Sequence, residues 1–329
     1  MKVDLLAAML ATCLPLSAGA AVIDNGTIQM GVDTLGQLNV NEGVPSAGGT
    51  NPTGLRYLPT NYEATAPGCL CEGWGVGIGE TGLAGYANNA AGKGGLSLVS
   101  FDNTASTAKS VVTVDGTGLR VTHSFAPASE TANLYRVSVK IENTGATDIA
   151  DLRYTRTFDW DVEPTPFSEY VTHVGTGTTT ALRYSNNNGF ENSNPFASRS
   201  PIGSGTVNTD FSDVGSLDHG SNFDFGFGGL KAGEAYDFDI FYGAAADERS
   251  AIAALSAVQV ELYSLGQSTS ATGGAADDDV TFMFAFKGVG GSVVVPPVDP
   301  SPVPVPAAGF LLLGGLGAMG ALRLRRKKD

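Results

Sequence analysis

The chain has 329 residues, 42% of them hydrophobic and only 16% charged, with 44 glycines and 16 prolines. That balance excludes a coiled coil, a polytopic membrane protein and a highly charged disordered chain, and suits short strands joined by tight turns. Setting aside Lys2, Asp4 and the terminal Arg323, Arg325, Arg326, Lys327, Lys328 and Asp329 leaves 13 basic and 31 acidic residues, a net −18; such a surface repels phosphate backbones and anionic headgroups, speaks against nucleic-acid binding and leaves cations and neutral or basic ligands as natural partners.

Residues 1–20 read as a signal peptide. Lys2 precedes an apolar run over 5–16, and Ala18 and Ala20 are the two small residues a signal peptidase pocket accepts, which predicts cleavage after Ala20 and a mature start at Ala21. A lipoprotein box ending at Cys13 competes, but Thr12 is a poor residue just before the cysteine.

Residues 21–290 contain no internal repeat and no long linker, and are read as one ectodomain. Cys69 and Cys71 flank one leucine; export permits a disulfide, which would be a tight local staple and needs a loop, since residues two apart on a strand lie ~6.6 Å apart. The glycine-rich run 73–79 alternates like a close-packed strand, and no helix follows it, so dinucleotide binding is rejected. Period-two runs at 96–101, 110–114, 119–125, 134–141, 149–162, 236–242 and 281–286 predict strands. The segment 135–158 reads as a hairpin, with Val137, Val139 and Ile141 facing inward and a turn at Asn143-Thr144-Gly145. Asp247 caps a helix predicted over 247–262, with Ile252, Leu255, Val258 and Leu262 on one face. The fold expected is all-β, a large antiparallel β-sandwich with one short helix.

The acidic run over 159–163 is the first place to look for chemistry. In a strand, Asp159, Asp161 and Glu163 share one face and Trp160 and Val162 the other. Three adjacent carboxylates repel unless something offsets them. Arg153 on the same parity would make a structural charge cluster; calcium is a second answer, because hard cations take carboxylate oxygens. A glycosidase pair is the third, since such enzymes hold two carboxyls roughly 5 to 9.5 Å apart.

Asp277, Asp278 and Asp279 form a second acidic run before the last strand, read as a solvated turn or a further calcium candidate. The asparagine-rich stretch 186–194, with Tyr184 and Phe190, is a loop that would suit sugar binding or plain turn formation. His123 and His173 lie in strand-like runs and His219 in a turn; no dense metal-ligand pattern, G-x-S-x-G elbow or P-loop occurs in the sequence. No catalytic residue is therefore assigned beyond the weak candidates Asp159, Asp161 and Glu163, and no cofactor is firm, calcium being the candidate.

The C-terminus is more specific. Residues 291–306 form a proline-rich spacer, 307–322 are uncharged and apolar, and 323–329 are basic. Sixteen helical residues reach ~24 Å, short of the ~30 Å hydrocarbon core, so a single transmembrane helix here is a marginal anchor with the basic tail on the cytoplasmic side. Val303, Pro304, Val305, Pro306 and Ala307, followed by a glycine-rich apolar helix and an arginine cluster, resemble the VPLPA class of PEP-CTERM sorting tails of Gram-negative bacteria. Val305 stands where the class has leucine. The resemblance covers about the last 27 residues and implies that an exosortase-type membrane protease recognises the proline motif and removes the helix. It implies transient residence in the inner membrane and then the cell surface or the medium.

The function expected is accordingly that of an exported surface or extracellular-matrix protein, a non-catalytic structural or glycan- and calcium-binding module. Its partners would be signal peptidase, an exosortase-like protease and extracellular polysaccharide. A secreted glycan hydrolase using the 159–163 acids, or a periplasmic domain permanently anchored in the inner membrane, are the alternatives.

Overall fold

A computed structural model describes residues 19–294. Most of the predicted signal peptide, and all of the sorting motif, apolar helix and basic tail, lie outside the described residues. The elements begin with β1 (Ala21–Asp24), β2 (Ile28–Val32), β3 (Leu55–Tyr57) and β4 (Tyr62–Glu63), a small antiparallel sheet in sequence order. Next come β5 (Gly73–Ile78), β6 (Leu83–Asn88), β7 (Gly92–Gly94), β8 (Leu96–Asn103), β9 (Ala108–Val114), β10 (Leu119–Pro127) and β11 (Leu134–Asn143). The chain continues through β12 (Ile149–Trp160), β13 (Glu169–Val174), β14 (Leu182–Asn186), β15 (Phe211–Leu217) and β16 (His219–Leu230). It closes with β17 (Ala235–Ala245), α1 (Glu248–Val258), β18 (Leu262–Gln267) and β19 (Thr281–Lys287).

Two large sheets face each other. One has nine strands in the order β15-β13-β18-β19-β17-β11-β10-β9-β8, the other six in the order β14-β16-β12-β5-β6-β7. Alternation decides which side chains meet between them: Val137, Val139 and Ile141 of β11 and Phe238, Ile240 and Tyr242 of β17 are buried with Tyr154 and Phe158 of β12 in one core. Phe158 stacks on Phe284 at 5.2 Å and Tyr154 meets Phe238 edge-on at 5.0 Å, so aromatic rings join the sheets. Polar pairs cross the same gap, His123 Nε2 to Tyr154 Oη at 3.1 Å and His173 Nε2 to Ser221 Oγ at 2.7 Å.

The all-β expectation holds, but the hairpin over 135–158 does not form. β11 pairs with β10 and β17, whereas β12 pairs with β16 and β5. The Asn143 turn instead carries the chain from one sheet to the other. Asn143 Nδ2 donates to the carbonyls of Thr147 and Leu230, and its Oδ1 accepts from Gly145 N, so the corner satisfies itself without a ladder between its arms.

The helix is also shorter than its apolar period suggests. Asp247 caps it by accepting from Ser250 N at 2.7 Å, but Gln259 adopts a left-handed conformation (φ 58°) and stops it, and Leu262 opens β18. Its buried face is Ala251, Ala254, Leu255 and Val258, which covers the outer side of the nine-stranded sheet against Phe241, Leu265 and Met283. Among the described residues no helix is long and apolar enough to cross a membrane.

Candidate functional site

The outer face of the six-stranded sheet positions the acids. Gly73, Gly75 and Gly77 of β5 turn toward a loop over 187–200 that lies on the strand itself. A Cβ at Gly75 would meet the Ser193 carbonyl oxygen at 2.0 Å, and one at Gly77 would meet Phe196 at 2.5 Å. The asparagines hold this loop in shape: Asn188 N donates to Asn186 Oδ1, Phe190 N to Asn188 Oδ1 and Asn194 N to Asn192 Oδ1. Asn186 and Asn187 are buried, so these two amides serve the loop and face away from solvent, whereas Phe190 is exposed. Tyr184 lines a small cleft with Arg153, Arg183 and Asp224.

That loop also covers Asp159. Thr157 and Asp159 of β12 point outward beneath it, and Asp159 and Asp161 are each 1% exposed. β12 ends at Trp160, so the strand expected through 162 stops before Asp161. Glu163 leaves the group altogether. Its carboxylate accepts from Ser46 Oγ, Thr50 Oγ1, Gly48 N and Glu63 N, clamping the loop over 46–50. Arg153 does not offset the acids either, because Nε and Nη2 both bond to Asp151.

Pairing across the sheet supplies a different neighbour. β12 and β16 match Asp159 with Gly220 and Trp160 with His219, which sets Asp218 opposite Asp161. Oxygens of Asp159, Asp161 and Asp218 all lie within 4.8 Å of one another. Glu169, buried nearby, accepts from His219 N and Ser168 N. Burial raises all four acids. Removal from water, reinforced by the charges of Asp218 and Glu169, holds Asp159 well above the carboxylate range; Asp161 is pushed up to about 10 by burial and then by Asp159. Glu169 rises to about 8 by burial, against the pull of the His219 amide, and Asp218 rises by burial.

Cys69 and Cys71 are joined through sulfur with their Cα atoms 5.3 Å apart, in a non-strand segment. Cys69 Sγ lies 3.3 Å from Asp159 Oδ2. A disulfide sulfur carries no proton, so the contact gives that oxygen no donor.

Asp277 lies in a separate group with Asp213 and Glu248. Its carbonyl accepts from Glu248 N and its Oδ1 from Gln267 Nε2; Asp278 is exposed, and Asp279 Oδ1 accepts from Val280 N at the entry to β19. The two acidic runs of the sequence thus do not share one site.

No family model matches the chain, and no curated protein matches it.

Asp218 and Glu169 escaped the sequence reading. Nothing local marks Asp218, which reaches Asp161 only through the register of β16 on β12. His173 and His219 are buried and stay neutral; burial lowers them to about 3 and about 4.

Proposed function

We propose that the chain is an exported, non-catalytic surface or matrix module, delivered by a cleaved signal peptide and processed through its C-terminal sorting tail. One observation carries this reading: the ordered series of Val303, Pro304, Val305, Pro306 and Ala307, an apolar stretch over 307–322 and the basic cluster from Arg323. Cleavage after Ala20 is supported by the position of β1, whose first residue is Ala21, so that removing 1–20 takes no strand residue away. Export suits the Cys69–Cys71 pair, which an oxidising compartment maintains. The non-catalytic half of the reading is supported by the acids themselves: a glycosidase must present two carboxyls to a sugar, whereas Asp159 lies beneath a packed loop, Asp161 is buried and Glu163 is engaged by four donors. Extracellular polysaccharide remains the partner proposed for the exposed body.

Intact-mass measurement of the native protein from inner-membrane, outer-surface and medium fractions tests the proposal. The expected species, at the surface or in the medium, starts at Ala21 and lacks the residues after about Pro306. A full-length tail confined to the inner membrane would instead mean a plain anchor and overturn the sorting reading.

A further inference from the structure

We propose that Asp159, Asp161 and Asp218 bind one hard divalent cation, calcium by its chemistry, where the end of β12 meets the start of β16. The proposal does not rest on the sorting tail. Its first support is spacing. Calcium–oxygen bonds are ~2.3–2.6 Å long, so oxygens on opposite sides of one ion stand up to ~5 Å apart; the three carboxylates lie within 4.8 Å of one another.

The second support is the state of the buried oxygens. Both carboxylate oxygens of Asp161 and Oδ1 of Asp159 are buried and have no hydrogen-bond partner, on side chains 1% exposed. Buried polar atoms are ordinarily paired, because an unpaired one forfeits its hydration for nothing. Protonation would remove the charge of Asp161 but still leave its hydroxyl and its carbonyl oxygen without partners; a cation satisfies both oxygens at once. Among the described residues, none of the ion pairs involves these three aspartates.

Two further features shape the site. Gly189 and Gly220 pass close to Asp159; a Cβ at Gly189 would stand 2.6 Å from Asp159 Oδ1. Any side chain there would occupy space beside the liganding oxygen. Asp218 is exposed while the other two are buried, so the group meets solvent on the Asp218 side. The donor set chooses the ion: it is all oxygen, and the adjacent Cys69 and Cys71 are tied to each other and offer no thiolate to a softer metal.

The exported protein, stripped with EDTA, is titrated with calcium chloride by calorimetry, and its melting temperature is read with and without the ion. One ion per chain is expected, with a rise of about 5 °C at a hundred-fold excess over Kd. Asp161→Asn is expected to abolish binding and the rise, its metal-free melting temperature staying at or above that of the wild type. Asp218→Asn, a change at an exposed position that leaves folding intact, lowers affinity at least ~10-fold. Asp277→Asn leaves affinity unchanged. Absence of binding in the wild type, undiminished binding in Asp218→Asn, or loss of binding in Asp277→Asn in its place overturns the assignment.

Discussion

Arg156 shows how one side chain links three parts of the molecule. It is fully buried in β12, and its Nε donates to Glu72 Oε1 at 2.6 Å. Glu72 also accepts from Tyr242 Oη at 3.0 Å and Leu38 N at 2.6 Å, so the pair ties the connection between β2 and β3 to both large sheets. Arg56 and Glu63 form a second buried pair at 2.8 Å. Removing one partner of such a pair leaves an uncompensated charge in the core, which costs far more than removing both. Arg156→Leu is expected to destabilise by about 3–5 kcal/mol in urea unfolding, and the double change with Glu72→Leu by clearly less. Equal losses for the single and double variants would contradict this account. Neither pairing was legible in the sequence, since Glu72 and Arg156 are 84 residues apart and no local pattern joins them.

At the scale of elements, legibility followed burial. The runs at 119–125, 134–141 and 281–286 have one face in the core and one toward solvent or α1, so alternation in composition mirrors alternation in space. β14 and β15 were missed because their residues are short, mostly polar runs without that contrast. β16 was missed for a different reason: its glycines Gly220, Gly226, Gly228 and Gly229 break the apolar period although Phe223 and Phe225 lie in the core. Glycine also explains β5, where the small residues are needed because a loop backbone rests on them. Gly75→Ala should therefore cost about 1–3 kcal/mol and loosen the loop over 187–200 to limited proteolysis. Gly177→Ala, where nothing lies within 4 Å of the added Cβ and φ is not positive, should be neutral or mildly stabilising. Comparable costs at both positions would show that loop contact is not what fixes the glycine.

For the whole molecule, the contact between sheets contributes to the response to acid. His123 lies on β10 among Trp74, Phe125 and Tyr154, with Arg156 as the nearby cation and Glu72 as its partner; His173 packs on Phe211 and Phe223. Burial, then the charge of Arg156, holds His123 well below its ordinary value, and burial, then His219, brings His173 to about 3. The unfolded chain takes up these protons near pH 6.5 and the native state does not. Stability from the two histidines is thus fully present above that pH and is lost as pH falls toward the folded values, each steepening the decline by up to ~1.4 kcal/mol per unit. In denaturant unfolding between pH 7 and pH 4.5, the slope of unfolding free energy against pH should be lower in His123→Gln than in the wild type by up to one proton's worth; the raised carboxyls of Asp159, Asp161 and Glu169 act in the opposite sense but equally in both proteins, so they leave the difference intact. An unchanged slope in that variant would mean His123 is protonated in the native core.

The sequence alone determined the all-β class, the inward faces of the long strands, the helix start at Asp247 and the choice of Asp159 and Asp161 as residues to watch, because each of these depends on neighbours a few positions away. Only the tertiary structure decided that the Asn143 corner changes sheets, that Glu163 serves a loop, and that Asp218 joins Asp161. Those outcomes depend on strand register and on what lies across a sheet, and a chain of side chains read in order does not contain the distance between residues 57 positions apart.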